Sequence, residues 1–153
     1  RAGDVTIQAL QQMMRTAKPG EYEYQWQADY EHFVARSGMR NAFTTIAASG
    51  RNATMLHYHD NNCITKSGDL LLLDLGAECG YYSSDVSRTI PIGGKFTDRQ
   101  KEIYNTVLEA QKLVIANAKE YTALISSIPR ASKKTGTVEK SSITRTLLNV
   151  WNG

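Results

Sequence analysis

The chain has 153 residues, of which 41% are hydrophobic and 22% charged, and a formal net charge of +3. That length can bury one real core, and no apolar run is long enough for a membrane-spanning helix. From Glu120 onward Arg130, Lys133, Lys134, Lys140 and Arg145 stand against only Glu120 and Glu139. The whole charge excess therefore lies in the tail, and the body offers no electrostatic footprint for nucleic acid. The opening Arg1-Ala2-Gly3-Asp4, without a Met, reads as a segment cut from something longer.

In chain order, the first predicted element is a helix capped by Asp4 or Thr6, with Ile7, Leu10, Met14 and Ala17 on one stripe. Lys18-Pro19-Gly20 ends it. A second helix is expected over about 21–37, burying Trp26, Tyr30, Phe33 and Val34 and stopping at Gly38. Strands are expected at 42–48 and at 55–58, the second running into the polar loop His59-Asp60-Asn61-Asn62. An apolar strand through Leu73 and a β-branched strand through Ile90 then flank a short glycine-containing connection. After the breaker-rich stretch 91–96, Thr97 caps a long helix lined by Ile103, Val107, Ala110 and Val114, with Glu102 too far along to close a capping box. Past Ala118 the periodicity decays into a basic Ser/Thr-rich stretch. This order predicts an α+β domain with helices on one face of an antiparallel sheet.

The chemistry concentrates in Asp74 and Asp85. A hairpin centred on Cys79 and Gly80 places them opposite each other, with Cβ atoms roughly 5 Å apart. Two carboxylates that close, in apolar surroundings, repel and lose hydration, so one is protonated or a cation sits between them. A divalent metal held by oxygen ligands is the economical answer. The plainer alternative has one aspartate capping a turn and the other pairing with Arg88.

Three histidines are present. His32 reads as a surface or half-buried helix residue. His57 is expected at the mouth of the sheet, as ligand, substrate contact or structural histidine; His59 shares its face if the strand continues and is solvent-exposed if it lies in a loop. Cys63 and Cys79 lack metal-site spacing and read as free thiols of a reducing, cytoplasmic compartment. No phosphate-binding loop and no nucleophile elbow occurs, which leaves metal-assisted chemistry.

Taken together, Leu56-His57-Tyr58, Gly68-Asp69, the run Leu73-Asp74-Leu75-Gly76-Ala77-Glu78, Gly80-Tyr81, Asp85-Val86-Ser87-Arg88-Thr89 and Gly94-Lys95-Phe96-Thr97 resemble a known family. It is that of the Xaa-Pro aminopeptidases (aminopeptidase P) and prolidases, metallopeptidases of the pita-bread fold. The resemblance spans residues 2–119 and implies that 1–119 form the first half of such a catalytic domain, followed by a divergent tail, 120–153. It implies two divalent metal ions, manganese foremost, with Asp74 ligating one and Asp85 bridging both. His57 would contact substrate rather than ligate.

The family's remaining ligands, one histidine and two glutamates, have no counterpart after Lys119, since no histidine follows His59. The implied function is release of the N-terminal residue from peptides with proline second, through an incomplete site. The alternative is a non-catalytic peptide- or partner-binding module on the same scaffold. A half sheet would expose apolar surface, so a homo-oligomer or a complementary half-domain is the expected partner. No nucleic-acid or membrane partner is expected.

Overall fold

In β3 (Leu70–Leu75) successive side chains point to opposite faces, and burial follows that alternation. Leu71, Leu73 and Leu75 are wholly buried, while Leu70, Leu72 and Asp74 are half-buried. The computed structural model describes residues 1–117, so the expected tail at 120–153 lies outside the described residues. The chain forms two units, residues 1–96 and residues from 97 onward.

The first unit contains α1 (Ala2–Thr16), α2 (Glu23–Arg36), β1 (Arg40–Asn41), β2 (Ile46–Ser49), a 3-10 turn (Gly50–Thr54), β3, β4 (Ala77–Cys79), β5 (Tyr82–Ser83) and β6 (Val86–Pro91). The strands form two antiparallel three-stranded sheets, ordered β1-β4-β5 and β2-β3-β6, rather than one. A single long hairpin supplies strands to both. The inner leucines of β3 pack with Ala47, Ala77, Ile90 and Ile92 against Ala9, Leu10 and Met13 of α1 and Trp26, Tyr30 and Val34 of α2. Each large apolar side chain so buried contributes about 1.5–3 kcal/mol. The α+β class with helices on one sheet face is thus the observed architecture.

Several local expectations change. The first helix starts at Ala2, before Asp4, and Asp4 instead pairs with the terminal ammonium at 3.1 Å. Its buried face runs through Thr6, Ala9, Leu10 and Met13, leaving Ile7 and Met14 exposed. The Thr6 hydroxyl sets that rotation, lying 3.1 Å from the Tyr30 hydroxyl and 2.8 Å from Ser84 Oγ. Residues 55–58 are not a strand: they follow the 3-10 turn as a bend and turn, with Met55 and Leu56 exposed. The strand expected at 42–48 begins only at Ile46.

In the second unit α3 covers Asp98–Asn117. Its N-terminal box is closed by Gln100, whose Oε1 accepts from Thr97 N at 2.9 Å while Gln100 N donates to Thr97 Oγ1 at 3.2 Å. Ile103 and Ala110 are half-buried, but Val107 and Val114 are exposed.

The hairpin turns one position later than expected. Cys79 pairs with Tyr82, and both intervening residues have positive φ, 58° at Gly80 and 68° at Tyr81. That is the pattern of a type I′ turn. A tyrosine in the left-handed region costs about 1–2 kcal/mol, and its ring is 92% exposed, so few contacts offset the strain. Tyr81→Asn is expected to raise stability by about 1 kcal/mol in urea denaturation; an unchanged midpoint would contradict the strain.

Candidate metal centre

The register of the hairpin places the acids. Asp74 pairs across the ladder with Ser87 and Leu75 with Val86, and Glu78 pairs with Ser83. Continuing that register puts Asp85 opposite Gly76, diagonal to Asp74 rather than facing it. Both acids still project from the same side of the sheet, because the pairing shifts by two residues. Gly76 leaves the room this needs: a Cβ there would lie 2.3 Å from the Ser84 carbonyl oxygen and 2.4 Å from Phe43 Cε1.

Asp74 Oδ1 accepts from Ser87 Oγ at 2.8 Å. Partial desolvation pushes the Asp85 carboxyl above the ordinary aspartate range, and the neighbouring Asp74 charge and side chain push it the same way. Both influences act in the direction that two neighbouring carboxylates require. The surroundings are wetter than expected, since Asp85 is exposed and the wholly buried leucines of β3 lie on the other face. Arg88 pairs with Leu73 in the ladder, which sends it to the side opposite the acids. It donates to the Ser87 carbonyl at 2.7 Å and forms no ion pair with either aspartate among the described residues. The turn-cap and ion-pair alternative thus lacks its arginine.

His57 occupies an exposed turn. Its ring stacks on that of His59, with centroids 6.5 Å apart and planes within 4°. No strand carries them, so the shared strand face expected for His59 is not formed, and His59 is exposed in a loop. The adjacent Tyr58 is buried with Ile46, Ala48 and Leu72. Ile46 lies directly across the ladder from Asp74 and Ala48 from Leu72, so Tyr58 anchors the histidine turn to the sheet face that carries the acids. His32 is exposed on α2.

Glu23 was not legible as a site residue. It opens α2 and is wholly buried. Its Oε1 accepts from Ser49 N at 2.6 Å, Ser49 Oγ at 2.7 Å and Asn52 Nδ2 at 3.1 Å. Its Oε2 accepts from the Tyr58 hydroxyl at 2.6 Å and Cys63 N at 3.0 Å. Burial pushes this carboxyl up, but the hydrogen bonds from Tyr58, Ser49 and Cys63 outweigh it and hold the group below the ordinary range. Burial and the bond to Glu23 in turn raise the Tyr58 hydroxyl. An acid in the first turn of a helix reads from sequence as an ordinary dipole partner; only the converging donors reveal the rest.

The acid pair fits one divalent cation in part, with two oxygen-bearing side chains on one face and an electrostatic need for positive charge. It does not by itself fit two ions, because no cluster of three or more His, Cys, Asp or Glu able to hold a metal occurs among the described residues. Both cysteines are free thiols, Cys63 exposed and Cys79 half-buried. Among the described residues no helix is long and apolar enough to cross a membrane.

Residues 1–140 match the model of metallopeptidase family M24. The sequence is 42% identical over 111 residues to the Xaa-Pro aminopeptidase of Escherichia coli, covering 72% of this chain and 25% of that protein. It is 36% identical over 121 residues to the Xaa-Pro dipeptidase of Rattus norvegicus, covering 75% of this chain and 25% of that protein. A single-residue variant of Escherichia coli aminopeptidase P, solved in complex with substrate, superposes with a TM-score of 0.76 at 39% identity. That match covers 78% of this chain and 27% of the solved one. The chain thus spans about a quarter of the length of the curated relatives it matches.

Two outcomes follow from this electrostatics. Asp74→Asn removes the charge that opposes Asp85, so in chelator it should raise the melting temperature, whereas in manganese it should lower it if a cation sits between the two acids. Melts of both chains under both conditions check for that reversal, which a mere turn cap would not give. Glu23 has the opposite sign of shift. Its stabilisation is fully present above the ordinary carboxyl value of 4.5 and is lost as pH falls through its lowered value in the folded chain. Glu23→Gln should cost roughly 3 kcal/mol near neutrality and flatten that acid limb in pH-dependent urea denaturation.

Proposed function

Because the chain belongs to metallopeptidase family M24, we propose that it is the front portion of a metal-dependent exopeptidase module acting on peptides with proline in second position. Asp74 and Asp85 are its ligands for a divalent cation, manganese foremost, and His57 is the group that contacts substrate. The observation that carries this reading is the diagonal acid pair, both carboxylates projecting from the face to which Tyr58 anchors the histidine turn.

A divalent ion held there supplies Lewis acidity toward a peptide carbonyl. The chain's own residues orient and exclude. Ser87 Oγ donates to Asp74 Oδ1, which fixes the carboxylate and leaves its other oxygen for a cation. Gly76 lets the Ser84 backbone close against β3, so that Asp85 sits on the acid face. His57, exposed beside that face, can donate to or accept from a peptide without leaving its loop.

Two carboxylates alone leave a second ion short of ligands. A homo-oligomer or a complementary half-domain is the partner proposed for the apolar sheet surface a half fold leaves open. The two free thiols suit a reducing, cytoplasmic setting. The ligand count also favours a second reading, a non-catalytic peptide- or partner-binding module on the same scaffold.

Hydrolysis of a short Xaa-Pro-Xaa peptide by the purified chain in manganese separates the two, with Asp85→Asn as control. Turnover in the parent that falls at least about a hundredfold in the variant supports a peptidase assembled from these acids. Equal turnover in both would overturn the assignment of Asp85, and none in either would favour the binding module.

A further inference from the structure

We propose that Glu23, a residue of α2, is a positioning residue: its buried carboxylate holds the loop 57–63 on the acid face and so sets where His57 is presented. The inference rests on the reading of His57 as the group that contacts substrate.

Between Thr54 and Leu70 the chain has no helix or strand, only an isolated bridge from Tyr22 to Ile64. Backbone bonds hold only its far end, where Glu23 N donates to the Cys63 carbonyl at 2.9 Å and Thr65 N to the Glu21 carbonyl at 2.8 Å, so residues 57–62 depend on side-chain anchors. Tyr58 is 5% exposed, its ring packed on Ile46, Ala48 and Leu72 and its hydroxyl 2.6 Å from Glu23 Oε2. At the far end of the loop Cys63 N donates to the same oxygen at 3.0 Å. One carboxylate oxygen thus ties both ends of a segment of which His57 is the first residue.

Asn61 anchors the middle. It is 1% exposed with φ of 43°, a conformation asparagine tolerates better than most residues. Its Oδ1 accepts from Ala47 N at 3.0 Å, and its Nδ2 donates to the Thr45 carbonyl at 2.9 Å and to Gln27 Oε1 at 2.8 Å. In this way Asn61 serves as a hydrogen-bonding neighbour for β2.

A buried carboxylate is a costly way to fill a core position. The donors that converge on Glu23 come from Ser49, Asn52, Tyr58 and Cys63, which belong to the histidine loop or lead into it. None comes from β3 or β6; the two bonds from Ser49 come from the last residue of β2, where the 3-10 turn toward the loop begins. The outward result is a parallel pair of exposed imidazoles, His57 and His59, held in one orientation without a strand beneath them.

The test is by nuclear magnetic resonance on the full chain, comparing the parent with Tyr58→Phe, Glu23→Gln and Glu23→Asp. Aromatic proton–carbon spectra report the histidine rings, and amide exchange reports the loop and β3 separately. Tyr58→Phe deletes one oxygen and keeps the ring. It should move both imidazoles to the resonance positions of free histidine and speed exchange at Cys63 about tenfold, while Leu73 and Leu75 keep their parent rates. Glu23→Gln should do the same more strongly, and Glu23→Asp, too short to reach both ends, should not restore the parent spectrum.

Should Glu23→Gln fail to fold, Tyr58→Phe carries the test alone. Histidine resonances in Tyr58→Phe that superimpose on the parent would overturn the positioning. So would equal acceleration at Leu73 and Cys63, since the network would then hold the fold rather than the loop. A parent His57 ring that does not shift with an excess of Xaa-Pro-Xaa peptide would instead overturn its role as substrate contact, a failure distinguishable from the others because the loop data would stand.

Discussion

Along the hairpin that spans residues 70–91, one side of each strand faces the helices and the other faces away, and this single constraint divides core from chemistry. Leu71, Leu73 and Leu75 are sealed beneath α1 and α2, which makes a slip of one residue prohibitively costly: it would turn three leucines outward and two acids inward. The hydrophobic effect thus holds the carboxylates on the open face against their own repulsion. Gly76 is where the two demands meet, since it admits the Ser84 carbonyl where any side chain would collide. The acid pair is in this sense a by-product of core packing, and its charge is the uncompensated remainder that a cation would neutralise.

A second constraint acts at the edge of that face. The histidine turn has no ladder of its own and depends on buried polar contacts, above all on the Glu23 carboxylate. Such a network is rigid while fully satisfied and costly once a partner is lost. Both features relevant to chemistry therefore derive from the same unit, residues 1–96, but by different physics. The acids are set by apolar burial and strand alternation, the histidines by hydrogen bonds to one buried charge.

This difference explains what could be read in the sequence. The same-face relation of Asp74 and Asp85 was legible even though the turn was placed one residue early, because moving a turn by one changes the pairing by two and preserves the face. The turn itself was hard to place, as Gly80-Tyr81 lacks the Asn-Gly signature of its type. The end of α1 was readable from Pro19-Gly20 and that of α2 from Gly38, which adopts φ of 71°. The turn at 55–58 was not, since Met55 and Leu56 look like strand residues yet are 50% and 86% exposed. The buried face of α1 depended on Thr6 meeting Tyr30 and Ser84, contacts far apart in sequence. Glu23 was illegible for the same reason, since its donors lie 26 to 40 positions away.

Calorimetric titration of the chain with manganese decides whether the diagonal acid pair binds one divalent ion. The expected result is one ion per chain, abolished in Asp85→Asn and strongly weakened in Asp74→Asn. Binding that survives Asp85→Asn with the same stoichiometry and affinity, or no binding by the parent, would contradict it.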